Sequence, residues 1–240
     1  MNTSPDIAAV ASLIGDSSRI AMLLGLLGGK SLPASELARA ARITPQTASS
    51  HLSKLVEGGL LVHESYGRHR YYRLANADVA HALEALNAIA LPKPVRSLRE
   101  SEQVKAIRFA RTCYDHLAGE VGVALTDRLL AMGLLEESGQ DYVLNEEGKK
   151  KLCSLGVELE PRSKSRRSYA RPCLDWSERR HHLAGSLGAA LTQRLFELGW
   201  VERYADHRGV RITEAGVKGF FDGFGLTIKH PHASSRQAGG

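Results

Sequence analysis

Thr44-Pro45-Gln46-Thr47-Ala48-Ser49-Ser50-His51-Leu52-Ser53-Lys54-Leu55-Val56-Glu57 reads as one short helix with two chemically different faces. Thr44 suits the N-cap and Pro45 the first helical position, where a missing N–H costs nothing. Ala48, Leu52, Leu55 and Val56 recur at helical spacing and predict a side that faces a core. Gln46, Thr47, Ser50, Ser53 and Lys54 project from the other side, which carries no carboxylate until Glu57. Short hydroxyl and amide groups can reach base edges and a lysine can reach a phosphate, so this face has the chemistry of a DNA-reading helix. Standing alone, it would be an ordinary solvated face. Its neighbours decide otherwise.

Upstream, Ile7, Val10, Leu13 and Ile14 predict an amphipathic helix that Gly15 ends. Asp16 or Ser17 caps a second, with Ile20, Leu23, Leu24 and Leu27 inward and a stop at Gly28-Gly29. Ser31 to Ala41 reads as a third, with Pro33 in its first turn and Leu37 and Ala41 inward. Arg42-Ile43 joins it tightly to the polar-faced helix, which makes a helix-turn-helix pattern. Downstream, Leu60 to Glu64 and Arg70 to Leu74 predict two strands, with Tyr66-Gly67-Arg68-His69 as the turn. A basic hairpin in that position is a wing, with its cations over the phosphate backbone or in the adjacent minor groove. The candidate DNA contacts are therefore Thr44, Gln46, Thr47, Ser49, Ser50, His51, Lys54, Arg68, His69 and Arg70. Asn76 to Ala90 closes the unit with a helix carrying Val79, Leu83, Leu86 and Ala90 on one stripe. That stripe pairs with its twin in a dimer or packs within the monomer. Leu91-Pro92-Lys93-Pro94 then marks a boundary, giving domains 1–94 and 95–240.

The 240 residues carry a formal charge of +6, which favours an anionic partner. No apolar run is long enough for a bilayer and no signal-peptide pattern opens the chain, so a soluble cytoplasmic protein is expected. Cys113, Cys153 and Cys173 are too few for a disulfide framework and fit a reducing compartment. Gly-rich phosphate loops, zinc-protease helices and nucleophile elbows are missing from the sequence, which argues against an enzyme.

Residues 1 to about 90 resemble the ArsR-type winged-helix repressors of bacteria. The match is carried by the leading helix, Asp16-Ser17-Ser18-Arg19-Ile20, Ser35-Glu36-Leu37-Ala38, Thr47 to Leu55 in recognition position, and Gly58-Gly59-Leu60-Leu61 before the arginine-rich wing. The resemblance implies a homodimer that binds a palindromic double-stranded operator and leaves it when an unknown small inducer binds. It does not bring along the metal positions of the family. Residues 31–57 contain no cysteine, and Asp78 and His81 on the last helix stand without a second pair.

The C-terminal half repeats itself, over about 101–160 and 168–228. Arg111-Thr112-Cys113-Tyr114-Asp115-His116-Leu117-Ala118-Gly119 returns as Arg171-Pro172-Cys173-Leu174-Asp175, a short insertion, then His182-Leu183-Ala184-Gly185. Val121 to Leu129 returns as Leu187 to Leu195. Helix, leucine-glycine turn, hairpin and helix suggest two winged-helix-like modules, so the fold class is mainly α with small β-hairpins. The linker cations Arg162, Lys164, Arg166 and Arg167 and a disordered tail from Lys229 complete the chain. Cys113, Asp115 and His116 are expected within one helical turn, and Cys173, Asp175 and His182 form the second set, with His181 beside it. If the modules pack about a pseudo-twofold axis, the sets converge. Sulfur with imidazole then suits zinc, cadmium, lead or a trivalent metalloid as effector, and Arg111 and Arg171 beside the cysteines suit a redox-responsive thiol. The plain alternative is a small buried cysteine with Asp and His serving as caps and inter-module hydrogen bonds. In that case no cofactor is required. Cys153 has no counterpart and is expected in the core. The leading function is a DNA-binding transcriptional repressor. The alternatives are a metal- or thiol-responsive sensor using Cys113 and Cys173, an enzyme with an appended helix-turn-helix, and an interaction module without DNA binding.

Overall fold

The computed structural model describes residues 4–67, 69–91, 94–95, 97–159 and 168–229. Arg68, the four linker cations and the tail from residue 230 lie outside the described residues. The chain forms two compact units, Met1–Leu86 and Asn87–Gly240, so the division falls ahead of the Leu91-Pro92-Lys93-Pro94 break.

In the first unit α1 (Ile7–Ile14) is capped by Asp6, and α2 (Ser17–Leu26) by Asp16, whose carboxylate accepts from the N–H of Ser18 and Arg19. Met22, Leu23, Leu26 and Leu27 are the buried residues of α2 and its C-cap, while Ile20 and Leu24 are half-buried. The buried face is thus turned from the expected stripe, because α3 and α4 cover α2 on that side. The third helix starts later than the sequence suggests. Leu32–Pro33 is a short strand, β1, and α3 runs Ala34–Ala41. The residue before a proline is pushed out of the helical region, and here Leu32 and Pro33 pair with Tyr72 and Tyr71 instead. Arg42, at φ 55°, ends α3 in the left-handed conformation, and α4 (Pro45–Glu57) begins after Thr44. Strands β2 (Leu61–Tyr66) and β3 (His69–Leu74) form the hairpin, in a three-stranded sheet of order β1-β3-β2. Helix α5 (Ala77–Ile89) follows and runs across the division at Leu86, with Ala80, Leu83 and Ala88 buried; Leu86 and Ala90 of the expected stripe are exposed.

The first helix lying wholly in the second unit is α6 (Leu98–Phe109), capped by Ser97. This helix carries no apolar helical signal in the sequence. Charged residues occupy its length and none of its side chains is fully buried, so no apolar stripe marks it. Next come β4 (Arg111–Cys113), β5 (His116–Ala118), α7 (Gly119–Ala131), β6 (Leu135–Ser138), β7 (Asp141–Leu144) and α8 (Glu146–Ser154). The same order of hairpin, helix, hairpin, helix follows in β8 (Arg171–Leu174), β9 (His181–Ala184), α9 (Gly185–Glu197), β10 (Val201–Arg203), β11 (Val210–Ile212) and α10 (Glu214–Phe224). Residues 113–116 are therefore a β-hairpin and not the helical turn expected of them. Tyr114 at φ 60° makes the tight reversal between β4 and β5. Gly119 and Gly185 open α7 and α9 at φ 81° and 86°, where a Cβ would stand 2.6 Å from the carbonyl oxygens of Arg108 and Tyr169. A side chain is excluded at both positions.

Contacts between the two halves of this unit are reciprocal. Thr126 Oγ1 accepts from Leu183 N and Thr192 Oγ1 from Leu117 N, both at 2.8 Å. Arg128 Nε donates to Phe224 O at 2.9 Å, and Arg194 Nε to Leu155 O at 2.7 Å. Tyr142 N donates to Ala170 O and Val210 N to Ala110 O, at 3.0 and 2.9 Å. Leu125, Leu129, Leu187, Leu191, Leu195 and Phe220 belong to one continuous core. Cys153 is exposed, against expectation. Its neighbours Gly148 and Leu152 supply the buried side of α8. No single helix among the described residues is long and apolar enough to cross a membrane.

Candidate functional site: a nucleic-acid interface and a buried cysteine–histidine cluster

Helix α4 is held by one face and offers the other. Ala48, Leu52 and Leu55 are fully buried, Val56 is half-buried, and Gln46, Thr47, Ser49, Ser50, Ser53 and Lys54 are exposed. Thr44 accepts from Thr47 N at 3.2 Å, and the two threonine hydroxyls lie 2.8 Å apart, so both are engaged at the helix start. The Ser49 hydroxyl donates to Pro45 O at 3.0 Å. Gln46, Ser50 and Lys54 lie one turn apart along the exposed side, with no carboxylate before Glu57. His51 differs from them. It is half-buried, and its Nδ1 lies 3.4 Å from Arg19, which also donates to the Leu13 and Ser12 carbonyls. That places His51 at the joint between α2 and α4, not on the open face. Asp16 lies in the same group. Its carboxyl is held below the usual range first by the hydrogen bond from Arg19 N, with the charges of Arg19 and His51 adding to it.

The hairpin runs in register from Leu61 opposite Leu74 to Tyr66 opposite His69. Its base is buried through Leu61, Tyr72 and Leu74, and its tip is exposed. His69 and Arg70 are exposed there, and Tyr66 meets Tyr71 edge-on at 5.9 Å. Arg73 sits 3.5 Å from Glu64 in a solvent-exposed pair. Such pairs contribute little to stability, but this one neutralises one of the wing cations.

In the second unit, four of the six cysteine, aspartate and histidine positions come together. One ligand atom each from Cys113, His116, Cys173 and His182 lies within 4.8 Å of all the others. Cys113 faces His116 across β4–β5, and Cys173 faces His182 across β8–β9. The two imidazoles stack at 5.1 Å, tilted by 31°. Cys113, His116 and His182 are buried, and Cys173 is half-buried. Nε2 of His116 and both ring nitrogens of His182 have no hydrogen-bond partner among the described residues. Burial disfavours the His116 cation, but its interactions with Cys113 and Asp115 outweigh it and raise its pKa to about 9. Burial pushes His182 the other way, against the pull of Cys113.

The two aspartates do different work. Asp115 lies 3.2 Å from His116 Nδ1. Asp175 is fully buried and accepts from Arg111 Nη2 at 2.8 Å, from Gly119 N at 2.7 Å, and from Ser177 and Glu178. Burial alone would raise its carboxyl. The Arg111 guanidinium and these hydrogen bonds hold it well below the usual carboxylate range. Arg111, itself buried and 4.7 Å from the Trp176 ring, is thus spent on Asp175 and is not left to activate Cys113. His181 is exposed and outside the cluster. Sequence reasoning missed Thr126 and Thr192, which hold the two hairpins in place. Their signal was a hydroxyl recurring at the same point of two otherwise apolar helical faces.

Residues 14–64 match the family described as Helix-turn-helix domain. The chain is 48% identical over 217 residues to YdfF, an HTH-type transcriptional regulator of Bacillus subtilis (strain 168), covering 90% of this chain and 96% of that protein. Among solved structures, the transcriptional repressor BigR from Xylella fastidiosa aligns at 24% identity and a TM-score of 0.34, over 37% of this chain and 89% of its own. The cadmium metal-sensor CMTR from Mycobacterium tuberculosis aligns at 31% identity and a TM-score of 0.30, over 38% of this chain and 99% of its own.

Proposed function

The chain belongs to the HTH-type transcriptional regulators, and from that premise we propose that it acts in the cytoplasm as an ArsR-type repressor, a homodimer on a pseudo-palindromic operator. It reads sequence with α4, grips the backbone with the wing, and is released by an inducer; no catalytic role is assigned to it. The observation that carries this reading is the exposed side of α4. Gln46, Ser50 and Lys54 present amide, hydroxyl and ammonium groups without a competing carboxylate, while Ala48, Leu52 and Leu55 are locked in the core. In this reading Gln46 and Ser50 meet base edges, and Lys54, Arg68, His69 and Arg70 meet phosphates. Thr44, Thr47 and Ser49 act at the helix start, where backbone N–H groups favour an anion. His51 supports α4 through Arg19 and touches DNA at most peripherally. Apolar residues left exposed on α1 (Ile7, Val10) and α5 (Leu86, Ile89) support the homodimer.

The test is a gel-shift titration of the full chain on its own promoter region at several salt concentrations. Gln46→Ala and Ser50→Ala should narrow the gap between operator and unrelated DNA. Arg70→Ala should weaken binding to both alike and lower the salt slope by about one counterion. Equal effects of the two kinds of substitution would overturn the assignment of base-reading and backbone contacts. Binding to any DNA with the same affinity would overturn the operator.

A further inference from the structure

We propose that Cys113, His116, Cys173 and His182 bind one divalent, thiophilic d¹⁰ cation of the zinc class, joining hairpin β4–β5 to hairpin β8–β9. This inference is independent of how the first unit reads DNA.

Each hairpin supplies half of the ligand set. Cys113 opposite His116, and Cys173 opposite His182, are directly paired residues of antiparallel ladders. Paired residues point their side chains to one face of the ladder, so each hairpin presents a sulfur and an imidazole side by side. The reciprocal bonds of Leu117 N to Thr192 and Leu183 N to Thr126 hold the residue next to each histidine, and so fix the two faces against each other. Two cysteines and two histidines are a tetrahedral donor set for zinc, with metal–sulfur and metal–nitrogen distances that put ligand atoms about 3.3–3.8 Å apart. The ligand atoms here lie within 4.8 Å of one another. Closing on a metal therefore asks for side-chain movements of about an ångström and no change of fold.

The ring nitrogens point the same way. A metal-bound histidine commonly donates its other ring N–H to a carboxylate, which fixes the tautomer and aims the free nitrogen at the metal. Asp115 is hydrogen-bonded to Nδ1 of His116 at 3.2 Å, while Asp175 stands 3.4 Å from Nδ1 of His182 without a hydrogen bond to it. In both rings the far nitrogen, Nε2, is buried without a hydrogen-bond partner among the described residues. A buried polar atom without a partner is costly, and a metal bond would satisfy both. Two thiolates, two neutral imidazoles and a dication sum to zero, so the filled site brings no net charge into the core. Cys173, half-buried, marks the way in.

The experiment uses the full chain, reduced, stripped with a chelator and titrated with Co²⁺. The expected result is the visible absorption of tetrahedral cobalt with a thiolate charge-transfer band in the near ultraviolet. It should saturate at one metal per chain and be abolished by equimolar Zn²⁺. Cys113→Ser and Cys173→Ser should each reduce the charge-transfer band, and Asp115→Asn should weaken Co²⁺ binding by about 10–100-fold. Zn²⁺ should also raise the melting temperature seen by tryptophan fluorescence, since Trp176 and Trp200 both belong to the second unit. An octahedral cobalt spectrum from the unmodified chain, or saturation at fewer than one metal per chain, would overturn the proposal without recourse to any variant. So would a Cys113–Cys173 disulfide that forms in place of metal uptake, or a spectrum unchanged in the double cysteine variant that still melts cooperatively.

Discussion

Arg111→Ala tests the arrangement of the second unit at its most buried charge. The guanidinium is fully buried, 2.8 Å from Asp175 Oδ2, with further hydrogen bonds to Ser177 Oγ and Ile107 O at 3.1 and 3.2 Å. Removing it strands a carboxylate that has no access to water. Breaking one side of a buried pair costs about 3–5 kcal/mol. Asp175 keeps its hydrogen bonds from Gly119 and Ser177, which places the loss toward the lower end of that range. Asp175→Ala should cost at least as much, because it strands the Arg111 cation and also leaves the Gly119 N–H at the start of α7 unpaired. With a urea slope of about 2 kcal/mol per molar, either loss moves the unfolding midpoint down by roughly 1.5–2 M. The assay is urea unfolding of the full chain followed by tryptophan fluorescence, which reports only the second unit. Midpoints rather than amplitudes are compared, since Trp176 lies against Arg111. The double variant Arg111→Met with Asp175→Leu should cost clearly less than the sum of the two single truncations, because no charge is then left stranded. Single losses below about 1 kcal/mol, or a double variant equal to the sum, would refute the claim that these two side chains act as one latch.

Thr126→Val and Thr192→Val should each cost about 1–3 kcal/mol, because each leaves a buried N–H, of Leu183 or Leu117, without its acceptor. The two losses should be similar in urea unfolding, and a large inequality would contradict the reciprocal packing. Asp16→Ala should cost the first unit about 1 kcal/mol through loss of the α2 cap, read by far-UV circular dichroism in urea. Because the folded Asp16 carboxyl is lowered, its contribution is complete above the ordinary aspartate value of about 3.9 and disappears as pH falls through the lowered value. The difference between wild type and Asp16→Ala should therefore shrink in acid, not in alkali. Leu52→Ala should cost about 2–5 kcal/mol, since the side chain is fully buried, and should abolish operator binding by loosening α4. Operator binding that survives a measured loss of that size would separate the DNA-reading face from the packing of α4.

The first unit was legible because its signals are local. Thr44 and Pro45 start a helix, a four-residue apolar spacing points it inward, and the residues between are left to face out. The wing followed from two β-rich runs about a glycine turn. Where the reading slipped, a partner distant in sequence intervened. Leu32-Pro33 is a strand because β3 lies beside it, and His51 is drawn inward by Arg19 from another helix.

In the second unit the sequence alone determined that something occurs twice, down to the cysteine and histidine of each copy. It did not determine their local shape. Residues 111–118 are mostly buried and too short to show a period, so helical and hairpin spacings look alike until a partner strand is present. That Cys113 lies with Cys173, and that Asp175 is drawn away to Arg111, depends on contacts spanning about sixty residues, from Thr126 to Leu183 and from Arg111 to Asp175. Such contacts leave no periodic trace in a chain, because they are set by which faces meet once the helices have packed. Residue types record what can be bound; only the tertiary structure decided which of them stand close enough to bind it together.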